Sequence, residues 1–104
     1  MAIPHIILFR DANCSGDHMH VCEGMPYVGD TFNDATSSFI ILEGVWEFFA
    51  DAEFKTQMIS ISSDVGFEGV TGRLGPGVYN WIEDRDTLGP NTDNKLSSLF
   101  PVRS

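Results

Sequence analysis

Basic side chains are scarce in this chain: 6 Lys and Arg stand against 15 Asp and Glu, for a net charge of −9 over 104 residues. Phosphate backbones are held by Lys and Arg, so this balance argues against a nucleic-acid partner and is compatible with cations. Cysteine is nearly absent too. Cys14 and Cys22 are too few to define a disulfide framework, and their spacing permits a pairing across a hairpin without requiring one. No apolar run approaches the length of a membrane span. Met1 to Phe9 has no basic n-region and no small-residue cleavage site, so no signal peptide is expected, and cytoplasmic and mature secreted forms are both compatible. Catalytic signatures are missing as well: there is no Ser-His-Asp order, no G-x-S-x-G and no H-E-x-x-H. The expectation is a protein that is not an enzyme. Its acidic pairs, such as Asp11, Asp51, Glu83 and Asp84, read as solvated surface.

What is present is a single domain's worth of chain with an ordinary hydrophobic content of 42%. Gly and Pro recur throughout, and short β-branched and aromatic runs lie between them. The runs at 6–9, 19–21, 38–42, 45–49, 58–61 and 98–100 predict strands, and many short strands between turn signals predict an all-β sandwich or barrel. The window 47–58 holds three Phe and no capping sequence, so it reads as strand, hairpin loop, strand. A short helical turn is the expectation near 79–84. Trp46, Phe48, Phe49 and Phe54 are assigned to the core, as is Trp81, for which an exposed partner site is the alternative.

Two polar hexapeptides stand 60 residues apart: Asn33-Asp34-Ala35-Thr36-Ser37-Ser38 and Asp93-Asn94-Lys95-Leu96-Ser97-Ser98. Both read [N/D]-[N/D]-x-x-[S/T]-S. Each packs carboxylate, amide, hydroxyl and carbonyl oxygens into six residues, a donor set that suits a hard cation such as calcium and offers little to zinc or copper. Two polar turns opening strands is the plainer alternative. A second repeat precedes them: 9–16 (FRDANCSG) aligns with 49–56 (FADAEFKT), each an aromatic, Asp two residues on, Ala, a polar residue and an apolar one. Such a repeat reads as a duplicated β unit sharing one core, with extra residues within 60–91 of the second copy.

These residues resemble the βγ-crystallin family, particularly its microbial calcium-binding branch. That family pairs two Greek keys, each opening on an aromatic-x-x-x-x-[F/Y]-x-G hairpin and later carrying [N/D]-[N/D]-x-x-[S/T]-S. The first hairpin matches at Phe9 and Gly16, with Cys14 replacing the inner aromatic; the second matches at Phe49 and Phe54, with Thr56 replacing Gly. Trp46 and the segment 74–79 also fit. The resemblance implies one domain over 1–104, with Greek key 1 at about 3–43 and Greek key 2 at about 44–103, packed as one sandwich. It implies two Ca²⁺ bridged between the keys. The ligands carried over are side-chain oxygens of Asp34 and Asn94, hydroxyls of Ser37 and Ser97, and main-chain carbonyls of Ala35 and Lys95. The carbonyls of Arg10 and Ala50 are expected to reach the opposite clamp. Asn33 and Asp93 are assigned to orienting the loops, with coordination open to either.

Two further readings belong to other classes. One is a protein-interaction or inhibitor and toxin-like module in which 60–91 binds a partner of unknown identity and calcium is structural; it rests on fold analogy. The other is a transition-metal site at His18, His20 and Cys22, which alternate along one strand face and supply two imidazoles and a thiol. Their plainer alternative is a polar outer face.

Overall fold

The computed structural model describes residues 3–29, 32, 35–58, 72–83, 87–88, 93 and 95–103. Eight strands are described: β1 (His5–Asp11), β2 (Ser15–Val21), β3 (Ser38–Glu43), β4 (Val45–Asp51), β5 (Lys55–Met58), β6 (Arg73–Leu74), β7 (Gly77–Tyr79) and β8 (Ser98–Arg103). No helix occurs among the described residues. The expected helical turn is instead the end of β7 followed by a bend and a turn at Ile82–Glu83. Because no helix is present there, none of the described residues forms one long and apolar enough to cross a membrane.

Two antiparallel four-stranded sheets form the molecule. Sheet A runs β2-β1-β3-β7; in sheet B, β4 is the hub for β5, β6 and β8. The two halves exchange segments. β7, late in the chain, pairs with β3 at Phe39↔Tyr79 through Ile41↔Gly77, while Met25, early in the chain, bridges Leu99 of β8. Each sheet is therefore completed by the other half, the arrangement of two interlocked Greek keys.

Period-2 alternation sets the core. In β1, Ile6 and Leu8 point inward and Ile7 and Phe9 are only partly covered; in β4, Trp46 and Phe48 point inward. Phe39 of sheet A stacks on Phe48 of sheet B with ring centroids 4.7 Å apart, and on Tyr79 at 5.0 Å. Such aromatic pairs add about 0.5–1.5 kcal/mol beyond their buried area. Trp46 is fully buried yet satisfied, because its Nε1–H donates to the Glu43 carbonyl at 3.0 Å. Phe54 and Trp81, expected inside, are exposed. Phe54 lies edge-on to Phe49 and Phe100 on the outside of sheet B, because its hairpin folds back over the sheet's outer face rather than entering the sandwich. Cys14 and Cys22 are both free thiols.

Candidate functional site

The two hairpins and the two serine pairs are tied together by the same bonds twice. Ser38 Oγ donates to the Asp11 carbonyl at 2.5 Å and accepts from the Cys14 N–H at 2.9 Å. Ser98 Oγ does the same to the Asp51 carbonyl at 2.6 Å and the Phe54 N–H at 3.1 Å. One hydroxyl thus satisfies both a donor and an acceptor of a tightly folded turn, which is what a Ser side chain can do and an apolar residue cannot. The turn itself needs left-handed backbone: Asn13, Cys14 and Gly16 have φ of 61°, 54° and 79°, and Glu53, Phe54 and Thr56 have 61°, 59° and 60°.

One position upstream, Ser37 and Ser97 are fixed by their backbones. The Ser37 N–H donates to the Phe9 carbonyl at 2.9 Å, and the Ser97 N–H to the Phe49 carbonyl at 3.0 Å. Their carbonyls accept from the other half: Ile82 N–H to Ser37 at 2.8 Å, and Val28 N–H to Ser97 at 2.9 Å. The same loops reach the hairpin tips, with Asn13 N–H donating to Asn80 and Glu53 N–H to Pro26, both at 2.7 Å. Ser37 and Ser97 are therefore each held by their own hairpin and by the opposite half, and both are 6% exposed.

The side chains also meet across the halves. Ser37 Oγ lies 2.5 Å from Asp93 Oδ1, joining the first hexapeptide to the second. Asp93 does more than shape its own loop: its carboxylate is brought to Ser37 of the opposite hexapeptide. A hydroxyl and a carboxylate oxygen from distant segments converge on one half-buried point, an all-oxygen donor pair. Ala35 is half-buried and Lys95 exposed beside their serines. Arg10 lies at the end of β1 with its guanidinium 3.5 Å from Asp17, and Ala50 occupies the matching place on β4. Asn33, Asp34 and Asn94 lie outside the described residues.

Sequence reading overlooked Ser38 and Ser98 as turn-holding groups. The signal was the invariant last letter of both hexapeptides. It also overlooked His5. The alternation of His18 and His20 does place both on the exposed face of β2, with Val21 buried and Met19 packed against the core; Cys22, just past the end of the strand, is exposed too. They do not assemble: among the described residues no group of three or more His, Cys, Asp or Glu side chains could hold a metal. His20 is instead turned to His5 of β1.

A comparison with curated proteins finds no match. Solved structures give several. A βγ-crystallin from an archaeon has a TM-score of 0.73 at 24% identity, covering 97% of this chain and 100% of its own. A βγ-crystallin from Ciona intestinalis has a TM-score of 0.71 at 26% identity, covering 93% and 98%. One from Methanosaeta thermophila, described as transition-metal-ion-binding, has 0.65 at 26%, covering 92% and 98%. The Beta/Gamma crystallin family model matches residues 5–102, nearly the whole chain, and with the duplicated hairpin and serine ties this places the protein in the beta/gamma crystallin family.

Proposed function

We propose that this domain binds calcium in two clamps shared between its halves, and that the ions stabilise the fold. The observation that carries the reading is the meeting of Ser37 Oγ and Asp93 Oδ1 at 2.5 Å across the two halves. Hard cations select clustered oxygens, and two oxygens already drawn together lower the cost of organising the site. The fit extends to the rest of the donor set. Asp34, Asn94, Ser37, Ser97, Asp93 and Asn33 offer only oxygen acceptors or amides, and the carbonyls of Ala35, Lys95, Arg10 and Ala50 complete it. When bound, calcium supplies a charge that holds the two hexapeptides together; the chain's own contribution is the serine backbone ties that fix the loops beforehand.

Each clamp contains one formal carboxylate, Asp34 or Asp93, and affinity rises with ligand charge and site rigidity, so binding of about micromolar to sub-millimolar strength is expected. An ion that binds only the folded state stabilises it by about 2.7 kcal/mol at a hundredfold excess over Kd. The test is the melting temperature with and without calcium. It rises in the wild-type protein, and the rise disappears in the double variant Ser37→Arg/Ser97→Arg, where each substitution removes a ligand and inserts a cation. An equal rise in the double variant would refute the assignment.

A further inference from the structure

β1 and β2 run antiparallel with Ile7 opposite His20, which makes His5, two residues back on β1, the diagonal neighbour of His20. Their rings meet on the outer face of sheet A. His5 Nε2 lies 2.8 Å from His20 Nδ1, with ring centroids 5.0 Å apart and planes inclined by 48°. Two imidazole nitrogens at this separation are hydrogen-bonded, one donating and the other accepting; a metal ion can bind both once the donor ring's proton passes through solvent to that ring's other nitrogen.

We propose that His5 and His20 form a cross-strand bidentate site for a divalent transition-metal ion, with Cu²⁺ and Ni²⁺ preferred over Zn²⁺. The affinity order of the first-row divalent ions and the tetragonal geometry of Cu²⁺ and Ni²⁺ set the preference. Metal–imidazole bonds of about 2.0 Å at a right angle put the two nitrogens about 2.8 Å apart, whereas the tetrahedral angle of zinc requires about 3.3 Å. The 2.8 Å contact shows that the two nitrogens already lie within chelating range of each other before the rings turn. Binding requires each ring to turn so that both lone pairs converge beside the line joining them. His20 is exposed and His5 half-buried at the strand's start, so these rotations leave the core untouched. Water fills the remaining positions, and the net charge of −9 favours any cation. His18 is not a ligand. Its ring lies edge-on to His20 at 5.3 Å and against Phe9 at 5.9 Å. This site uses nitrogen donors on the outside of one sheet and is independent of the oxygen clamps.

The experiment is a calorimetric titration of the intact protein with Ni²⁺ in excess Ca²⁺, followed by electron paramagnetic resonance of the Cu²⁺ adduct to count nitrogen ligands. One equivalent should bind, with two nitrogens on copper. His5→Gln and His20→Gln should each weaken Ni²⁺ binding at least tenfold, and His18→Gln less than threefold, while circular dichroism shows each variant folded. Two results would overturn the proposal: Ni²⁺ affinity unchanged in His5→Gln, or a loss in His18→Gln equal to that in His20→Gln, which would mark the sequence-adjacent pair as the chelate.

Discussion

In the first hairpin Gly16 adopts φ of 79°, and a Cβ built there would land on the Asp11 carboxylate. In the second, Thr56 adopts φ of 60° at the equivalent place, and its hydroxyl donates to the Asp51 carboxylate at 2.5 Å. The first hairpin also carries an extra residue, since Phe9 and Asp11 pair with His18 and Ser15, whereas Phe49 and Asp51 pair with Gln57 and Lys55. The inserted Asp17 takes up Arg10 as an ion-pair partner, and Ala50 stands where Arg10 would be. The covering of the outer aromatic differs as well: Phe54 lies edge-on to Phe49, while Phe9, with Cys14 in place of the inner aromatic, is met by His18 from the neighbouring strand. What stays the same is the hydroxyl of Ser38 or Ser98 inside the turn. The serine dictates the backbone, and the residue at Gly16 or Thr56 adapts to it.

The largest expected loss therefore falls on the shared element. Ser38→Ala and Ser98→Ala each take the side-chain partner from a part-buried carbonyl and a part-buried N–H, at a cost of about 1–3 kcal/mol. Urea unfolding should show the two losses to be alike; a large difference would break the equivalence of the halves. Next come the residues that differ. Gly16→Ala places a side chain in left-handed backbone, costing about 1–2 kcal/mol. Thr56→Gly relieves that strain while losing the bond to Asp51, so the two effects offset to within about 0.5 kcal/mol. A substantial loss in Thr56→Gly would show that the threonine bond, rather than the serine, holds the second turn.

A smaller effect separates the hexapeptides. Leu96 is fully buried in the second, and its counterpart Thr36 is equally buried with its Oγ1 lacking a hydrogen-bond partner among the described residues. Thr36→Val keeps the shape and removes the unsatisfied hydroxyl, so it should stabilise by about 1 kcal/mol in the same unfolding assay. The smallest effect is a pH dependence. Tyr79 donates to the Gly75 carbonyl at 2.7 Å, and burial raises its hydroxyl above the usual value of 10.0. The neutral form is favoured in the folded state, so the unfolded chain loses this proton first as pH rises. Stability from this group is full below about pH 10 and is lost as the pH climbs through the raised folded value. Tyr79→Phe should flatten that alkaline decline.

The sandwich was legible because strand alternation in 6–9, 38–42 and 45–49 separates inward from outward residues without knowledge of the fold. The twin hexapeptides were legible because a repeated polar pattern is rare. Three features were not. Phe54 looks like core by composition, yet its placement depends on a left-handed turn that returns it to the outer face. The junction of Ser37 with Asp93 depends on two loops 56 residues apart being brought together by exchanged segments. The meeting of His5 with His20 depends on strand register, which spacing along one strand cannot supply.

The central claim, that each calcium is shared between the halves, is tested most directly by calorimetric titration of the metal-free protein with Ca²⁺ alongside Ser37→Ala and Asp93→Ala. Two equivalents should bind to the wild type, and both variants should lose the same single equivalent, because their oxygens meet at one site. Loss of different sites by the two variants, or no calcium heat in the wild type, would contradict it.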